Sequence, residues 1–274
     1  MERDSSHGPD TFDLQAYLSR VGFAGTPRPD LTTLRDLHVA HLSAIPFENV
    51  DVRLGRPILL DTGHLQEKLI QRRRGGYCFE QNTLFATVLR TIGFRVTTLE
   101  ARVRPPGAMA PLPRTHMVLA VEADGCRWLA DVGFGGDGPL HPVPFESHVP
   151  NPVEADHALT IESEGVHVLR IRTVDGWRDL YAFTLTPALP VDFVVANHFT
   201  STWPASPFVN TLTIQRSTPL LRHVLRGRTY TERLGTEERS REVTNDEITE
   251  LVTKVFGLDL SVEEIHRALG EHGE

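Results

Sequence analysis

The hydrophobic pattern of this chain changes period once, near Thr91, and that change limits the folds open to it. Before it, apolar residues recur at the three-to-four spacing of helices. Leu31, Leu34, Leu37 or His38, and His41 or Leu42 line one face over residues 31–43, and Pro46 ends the run because it cannot continue a helix. Residues 13–21 and 63–73 read as two further helices. Residues 78–92, CFEQNTLFATVLRTI, form the clearest one: Phe85, Val88, Leu89 and Ile92 make its stripe and Gly93 closes it. After Thr91 short strands are predicted over 94–103, 117–122, 127–132, 159–162, 166–172 and 179–184, separated by Pro, Gly and Asp-Gly turns. Beyond Asn197 come a Pro-rich turn, TWPASPF, a strand, TLTIQR, a hairpin-like stretch near 221–230 and helices over 245–256 and 261–269. The first ten residues read as disordered.

At roughly 100–200 residues per domain, 274 residues predict two domains or three small ones with a sizeable core. The net charge of -8 argues against nucleic acid or an anionic membrane as the main partner, while leaving room for a local basic pocket. Two cysteines, Cys78 and Cys126, are too few for a disulfide framework, and no Cys/His cluster has zinc-ligand spacing. The polar start, MERDSSHGPD, has no secretory apolar region, and no apolar run approaches the roughly 18 residues of a membrane span. A cytoplasmic protein with a free thiol and no metal is expected.

Cys78 follows Arg74-Gly75-Gly76-Tyr77 and opens a helix. Unpaired N–H groups and a partial positive charge at that position shift a thiol toward thiolate, and the two glycines leave the sulfur uncrowded. Cys126, beside a turn, has no such setting. A thiol nucleophile needs a base, and the base an orienting group. Asp124-Gly125 between two apolar runs is a hairpin signal. In that register Val118 faces Asp131 and His116 faces Gly133, so His116 and Asp131 point to one face as diagonal neighbours. Most of the 13 histidines have no chemical role, but a carboxylate inside WLADVGF needs a partner. The expected arrangement gives Nδ1–H of His116 to Asp131 and keeps Nε2 for the thiol. Gly133-Phe134-Gly135-Gly136 then supplies backbone that a ligand can approach.

The blocks Ile45-Pro-Phe-Glu-Asn49, Arg74-Gly-Gly-Tyr-Cys-Phe-Glu80 with Asn82, Thr115-His-Met117, Asp131-Val-Gly-Phe-Gly135 and Ser201-Thr-Trp-Pro-Ala-Ser-Pro-Phe208 together resemble the arylamine N-acetyltransferase family, in its order and at similar spacing. The resemblance covers roughly residues 13–231. It implies an α+β fold with a core like that of cysteine proteases and transglutaminases: an N-terminal helical bundle (1–91), a central β-barrel (92–199) and a C-terminal α/β lid (200–274). It implies a ping-pong cycle in which acetyl-CoA acetylates Cys78 and an arylamine, arylhydrazine or N-hydroxyarylamine takes the acetyl group, with His116 and Asp131 completing a triad. Phe47, Val103, Phe134 and Phe208 would line the acceptor pocket. Thr115, Gly133, Phe134 and Gly135 would lie at the CoA entry, and Arg74 with Glu48 would form an ion pair under the active-site loop. A monomer or homodimer, without nucleic acid, membrane or metal, fits the family. Gln81 stands where a leucine is common, and Trp203 where smaller or polar residues occur. The alternatives are an amide synthase that closes a macrolactam and a cysteine hydrolase of the papain or transglutaminase type.

Overall fold

The computed structural model describes residues 12–146, 156–235 and 237–270, so the disorder expected of the first ten residues lies outside it. The helices of the first third start where short polar side chains can cap them. Asp13 accepts the Ala16 N–H at 2.9 Å to open α1 (Leu14–Val21), and Asp30 accepts the Thr33 N–H at 2.8 Å to open α2 (Leu31–Ala44). Strand β1 (Phe47–Glu48) and the single turn α3 (Val50–Arg53) follow. The helix predicted over 63–73 is α4 (Thr62–Leu65), which runs into a π-helical stretch, Gln66–Gln71. Helix α5 (Cys78–Ile92) has the expected bounds, and Gly93 closes it at φ 109°, a conformation that favours glycine. Its Phe85, Val88 and Leu89 are fully buried with Tyr17 of α1 and Leu34 and Leu37 of α2. Each such side chain contributes about 1.5–3 kcal/mol relative to exposure.

The period-two segment folds into a seven-stranded, nearly closed barrel-like sheet in the order β5-β4-β3-β2-β8-β7-β6. Its strands are β2 (Arg95–Val103), β3 (His116–Ala123), β4 (Cys126–Ala130), β5 (Val143–Pro144), β6 (His157–Ile161), β7 (His167–Thr173) and β8 (Gly176–Phe183). Asp124 (φ 51°) and Gly125 (φ 75°) make the tight turn between β3 and β4. Pairing runs from Ala123↔Cys126 to Leu119↔Ala130, the register expected from the sequence. Strand β3 is covered on both faces. Val118 and Ala120 pack inside the barrel with Leu99, Leu169 and Tyr181, whereas Met117, Leu119 and Val121 pack against the helices. His116 shares the parity of Val118 and Ala120 and so points into the barrel end.

Helix α6 (Pro190–Thr202) crosses residue 199, where the sequence suggested a boundary, and α7 (Pro207–Asn210) occupies part of the expected Pro-rich turn. A second sheet has the order β1-β9-β10-β11-β12, from β9 (Thr213–Ser217), β10 (Arg222–Arg226), β11 (Thr229–Leu234) and β12 (Glu237–Glu242). The hairpin-like stretch near 221–230 is thus two strands of a longer meander. Strand β1 joins it through Phe47↔Gln215 and Glu48↔Ile214, tying the helical third to the C-terminal third. The chain closes with α8 (Asn245–Glu250), which continues as a π-helical stretch, Leu251–Val255, and with α9 (Val262–Leu269).

Candidate active site

The loop before Cys78 is a close approach of backbone to backbone. A Cβ on Gly75 would sit 2.0 Å from the Pro46 carbonyl oxygen, and one on Gly76 would sit 2.7 Å from a Glu80 carboxylate oxygen. Only glycine fits either place. The Glu48 N–H donates to the Gly76 carbonyl at 3.0 Å, and the Tyr77 N–H donates to Glu80 Oε2 at 3.0 Å. Below the loop, Arg74 Nη2 meets Glu48 Oε1 at 2.7 Å, the ion pair expected from the sequence. Lys68 Nζ bridges Asp51 at 2.6 Å and Glu80 at 2.7 Å. Each buried carboxylate in this layer has a cationic partner, which offsets its desolvation.

Where α5 begins, against the start of β3 and the end of β4, His116 meets Asp131, and the Cys78 thiol reaches the residue before His116. Cys78, His116 and Asp131 are 4 %, 3 % and 1 % exposed. The Cys78 thiol donates to the carbonyl of Thr115, next in the chain to His116, with Sγ 3.7 Å from the oxygen. His116 Nε2 lies 2.7 Å from Asp131 Oδ2. The pairing expected from the hairpin is present, but through the other ring nitrogen: Nε2, not Nδ1, faces the carboxylate. Strand parity specifies the face of a histidine and leaves the rotation of its ring open.

Asp131 also accepts the Asn82 side-chain N–H at 2.9 Å and the Gly133 N–H at 2.9 Å. Burial favours its neutral form, yet His116, Asn82 and Gly133 outweigh burial and hold the carboxyl below its ordinary range. Behind it, the Asp131 N–H donates to His38 Nε2 at 3.1 Å, while His38 Nδ1 faces the Leu140 carbonyl at 2.9 Å. An accepting Nε2 leaves the His38 proton on Nδ1. The Cys78 thiol is pushed up, first by burial and then by the negative charge of Asp131. The N–H groups of Phe79 and Met117 pull the other way without prevailing. A helix start alone therefore does not produce the thiolate expected from the sequence, and ionisation of Cys78 requires a proton acceptor beside it.

The remaining sequence-selected residues fall into two groups. Phe47 and Phe208 pack at 5.9 Å between ring centroids, and Phe208 meets Tyr77 edge-on at 5.7 Å. Phe134 stands edge-on to His116 at 5.3 Å and packs on Tyr181 at 5.1 Å, and Val103 pairs with Tyr181 across β2 and β8. Thr115, Val103, Phe134 and Phe208 are half-buried, whereas Cys78, His116 and Asp131 lie deeper. Gly133 lies against α5, since its Cβ would fall 2.7 Å from Asn82 Nδ2 and 2.8 Å from the Cys78 Cα. Its N–H is engaged by Asp131 and is not an open donor. Gly135, at φ 79°, turns the loop toward Gln215.

Sequence reasoning gave no role to three residues that build this site. Asn82 donates to Asp131 and to the Met117 carbonyl at 2.7 Å, and its Oδ1 accepts the Val132 N–H at 3.0 Å. One helical turn after Cys78, it fastens α5 to both strands, and the four-residue spacing was the available signal. Tyr181 packs on His116 at 5.0 Å, and His38 lies behind Asp131. Both are long-range, and nothing in the sequence marks them.

A family model described as N-acetyltransferase matches residues 30–265. The arylamine N-acetyltransferase of Mycolicibacterium smegmatis is 40% identical over 258 residues, covering 90% of this chain and 92% of that protein. The solved arylamine N-acetyltransferase of M. smegmatis superposes with a TM-score of 0.89 at 35% identity, covering 95% of this chain and 98% of that one. The Mycobacterium marinum arylamine N-acetyltransferase solved in complex with CoA superposes with a TM-score of 0.87 at 34% identity, covering 94% and 98%. The chain belongs to the arylamine N-acetyltransferase family. Its fold, a bundle of helices packed on a nearly closed barrel-like sheet, is the architecture of those structures. Among the described residues no helix is long and apolar enough to cross a membrane, and no group of His, Cys, Asp and Glu is placed to hold a metal ion.

Proposed function

We propose that this protein is an arylamine N-acetyltransferase that carries the acetyl group of acetyl-CoA on Cys78, with His116 as base and Asp131 as its orienting anion. The observation that carries the reading is the buried 2.7 Å contact between His116 Nε2 and Asp131 Oδ2, beside a thiol that reaches the preceding residue's carbonyl. A proton held on Nε2 by Asp131 leaves Nδ1 bare, so Nδ1 takes the proton of Cys78. The imidazolium so formed lies against a carboxylate that its neighbours keep ionised. The ion pair appears at the moment of attack, because burial disfavours a standing thiolate.

The thiolate adds to the thioester carbonyl of acetyl-CoA. CoA leaves with the proton from Nδ1, and an acetyl thioester remains on Cys78. The arylamine nitrogen then attacks that thioester, Nδ1 takes the proton of the amine, and the cysteine leaves as thiol. Phe47 with Phe208, and Val103 with Phe134, would line the acceptor site, where ring faces and apolar surface suit an aromatic amine. A groove of about 550 Å³ runs from Val103 to Arg114, next in the chain to Thr115, and Arg102 and Arg104 also line it. Of its cations, Arg104 is paired with Glu162 and Asp179 and Arg114 with Glu100, so the phosphates of CoA would have to draw on Arg102 or compete for these pairs. Thr115, Phe134 and Gly135, with the backbone of Gly133, would meet the donor's acetyl end. A working thiol suits a reducing, cytoplasmic setting.

Replacing Cys78 with alanine removes the nucleophile and little volume. The variant is expected to melt within a few degrees of wild type and to release no CoA from acetyl-CoA in the presence of an arylamine. Turnover retained by a folded Cys78→Ala protein would falsify the proposal.

A further inference from the structure

Against the backbone of the loop before Cys78, three buried polar side chains form one chain of hydrogen bonds. Gln81, in the first turn of α5, is fully buried, as are His41 and Tyr17. Gln81 Nε2 donates to the Pro46 carbonyl at 2.8 Å and to the Gly76 carbonyl at 3.1 Å. Carbonyls only accept, so the amide nitrogen must face them and Oε1 must face His41, whose Nε2 lies 2.6 Å away. His41 therefore carries its proton on Nε2, and its bare Nδ1 accepts the Tyr17 hydroxyl at 2.9 Å. Each group has one role, and the direction of every bond follows from the two carbonyls.

Those carbonyls bracket the site. Pro46 precedes Phe47, and Gly76 lies two residues before Cys78. The two segments also touch directly, through Glu48 N–H to the Gly76 carbonyl and through the glycine backbone pressed on Pro46. A leucine at position 81 would fill the space and hold neither carbonyl. We infer that Gln81 is a positioning residue for acyl transfer: its amide clamps the Pro46 and Gly76 carbonyls and so sets Cys78 against His116, with His41 and Tyr17 fixing the amide's orientation. The inference rests on the proposed role of Cys78.

The test uses the purified full-length protein and acetyl-CoA, following CoA release in a single turnover together with KM and thermal unfolding. Gln81→Met keeps an unbranched chain of similar length and removes both donors. Because a displacement of around an ångström at the reacting sulfur slows chemistry without touching donor binding, Gln81→Met is expected to release CoA about tenfold more slowly with KM for acetyl-CoA within about twofold. Tyr17→Phe removes only the far end of the chain, frees His41 to move its proton, and is expected to slow release in the same direction by about threefold. A folded Gln81→Met protein that acylates at the wild-type rate, with only a lower melting temperature, overturns the inference and makes Gln81 a packing residue. If Gln81→Met does not fold, Tyr17→Phe decides, and a wild-type rate there overturns it equally. Failure of the underlying reading looks different: Cys78→Ala would stay active, whereas failure of the clamp leaves Cys78→Ala dead and Gln81→Met unimpaired.

Discussion

Asp131 shows how a single side chain can be specified by everything around it. It sits fully inside the protein, yet three donors and the N–H bond to His38 leave its carboxylate one orientation. Asn82 is the most exposed to test among these partners, because it serves three groups from one position on α5. Truncating Asn82 to alanine leaves the Met117 carbonyl, the Val132 N–H and one Asp131 bond unmet. With each buried unmet group costing about 1–3 kcal/mol, the expected loss is about 3 kcal/mol or more of stability, measured by urea unfolding. Acetyl transfer per folded molecule falls as well, since Asp131 is no longer held against His116. The sequence marked Cys78, His116 and Asp131, the proposed nucleophile, base and orienting carboxylate, because each carries a local signal: a glycine pair before a helix, a hairpin, a charge in an apolar run. It could not mark which imidazole nitrogen faces Asp131, which depends on a ring rotation, nor the state of the thiol, which depends on burial in three dimensions.

Elements with a strong local period were legible to within a residue or two. Helix α5 and the β3–β4 hairpin have the bounds or register their patterns imply, because apolar stripe, cap and Asp124-Gly125 turn all agree. Helix α6 was not legible, and its side chains show why. It buries Phe193, Ala196, Asn197 and Thr200 at helical spacing while exposing Leu189, Val191, Val194 and Val195 at its N-terminal end. Two of its four buried residues are polar and several apolar ones face outward, so the sequence shows no clean amphipathic stripe. Strand β12, EERSRE, is exposed throughout and carries no apolar alternation. Strand β1 has two residues and finds its partner far along the chain. At this scale the critical joint is the one between the end of β4 and the start of α5, where Gly133 packs on Cys78. Gly133→Ala puts a methyl group 2.8 Å from the Cys78 Cα, a backbone atom that cannot step aside alone. The substitution is expected to lower kcat at least about tenfold by shifting the sulfur, with a smaller change in KM for acetyl-CoA, as read from initial rates.

For the whole molecule, the helices and the barrel-like sheet share one consequence of packing: histidines are carried into the core. His41 is the clearest, with burial pushing it down to about 3. Tyr17, Gln81, His38 and Arg20 surround it; the Gln81 hydrogen bond works against burial, and the charge of Arg20 works with it. Folded, His41 stays neutral, whereas the unfolded chain binds a proton there below about pH 6.5. Unfolding thus takes up a proton between about pH 6.5 and about pH 3, and stability falls as the solution is acidified through that window. Urea midpoints at pH 7 and pH 5 should drop for wild type and drop less for His41→Gln. An equal drop in the two proteins would show that His41 contributes nothing to the acid dependence.

The central claim, that the acetyl group rests on one sulfur between donor and acceptor, can be read from mass. The intact protein mixed with acetyl-CoA and no amine should gain the mass of one acetyl group, a digest should place it on the peptide containing Cys78, and addition of an arylamine should remove it. A protein that transfers acetyl to the amine while never gaining that mass, or that carries it on Cys126, contradicts the account.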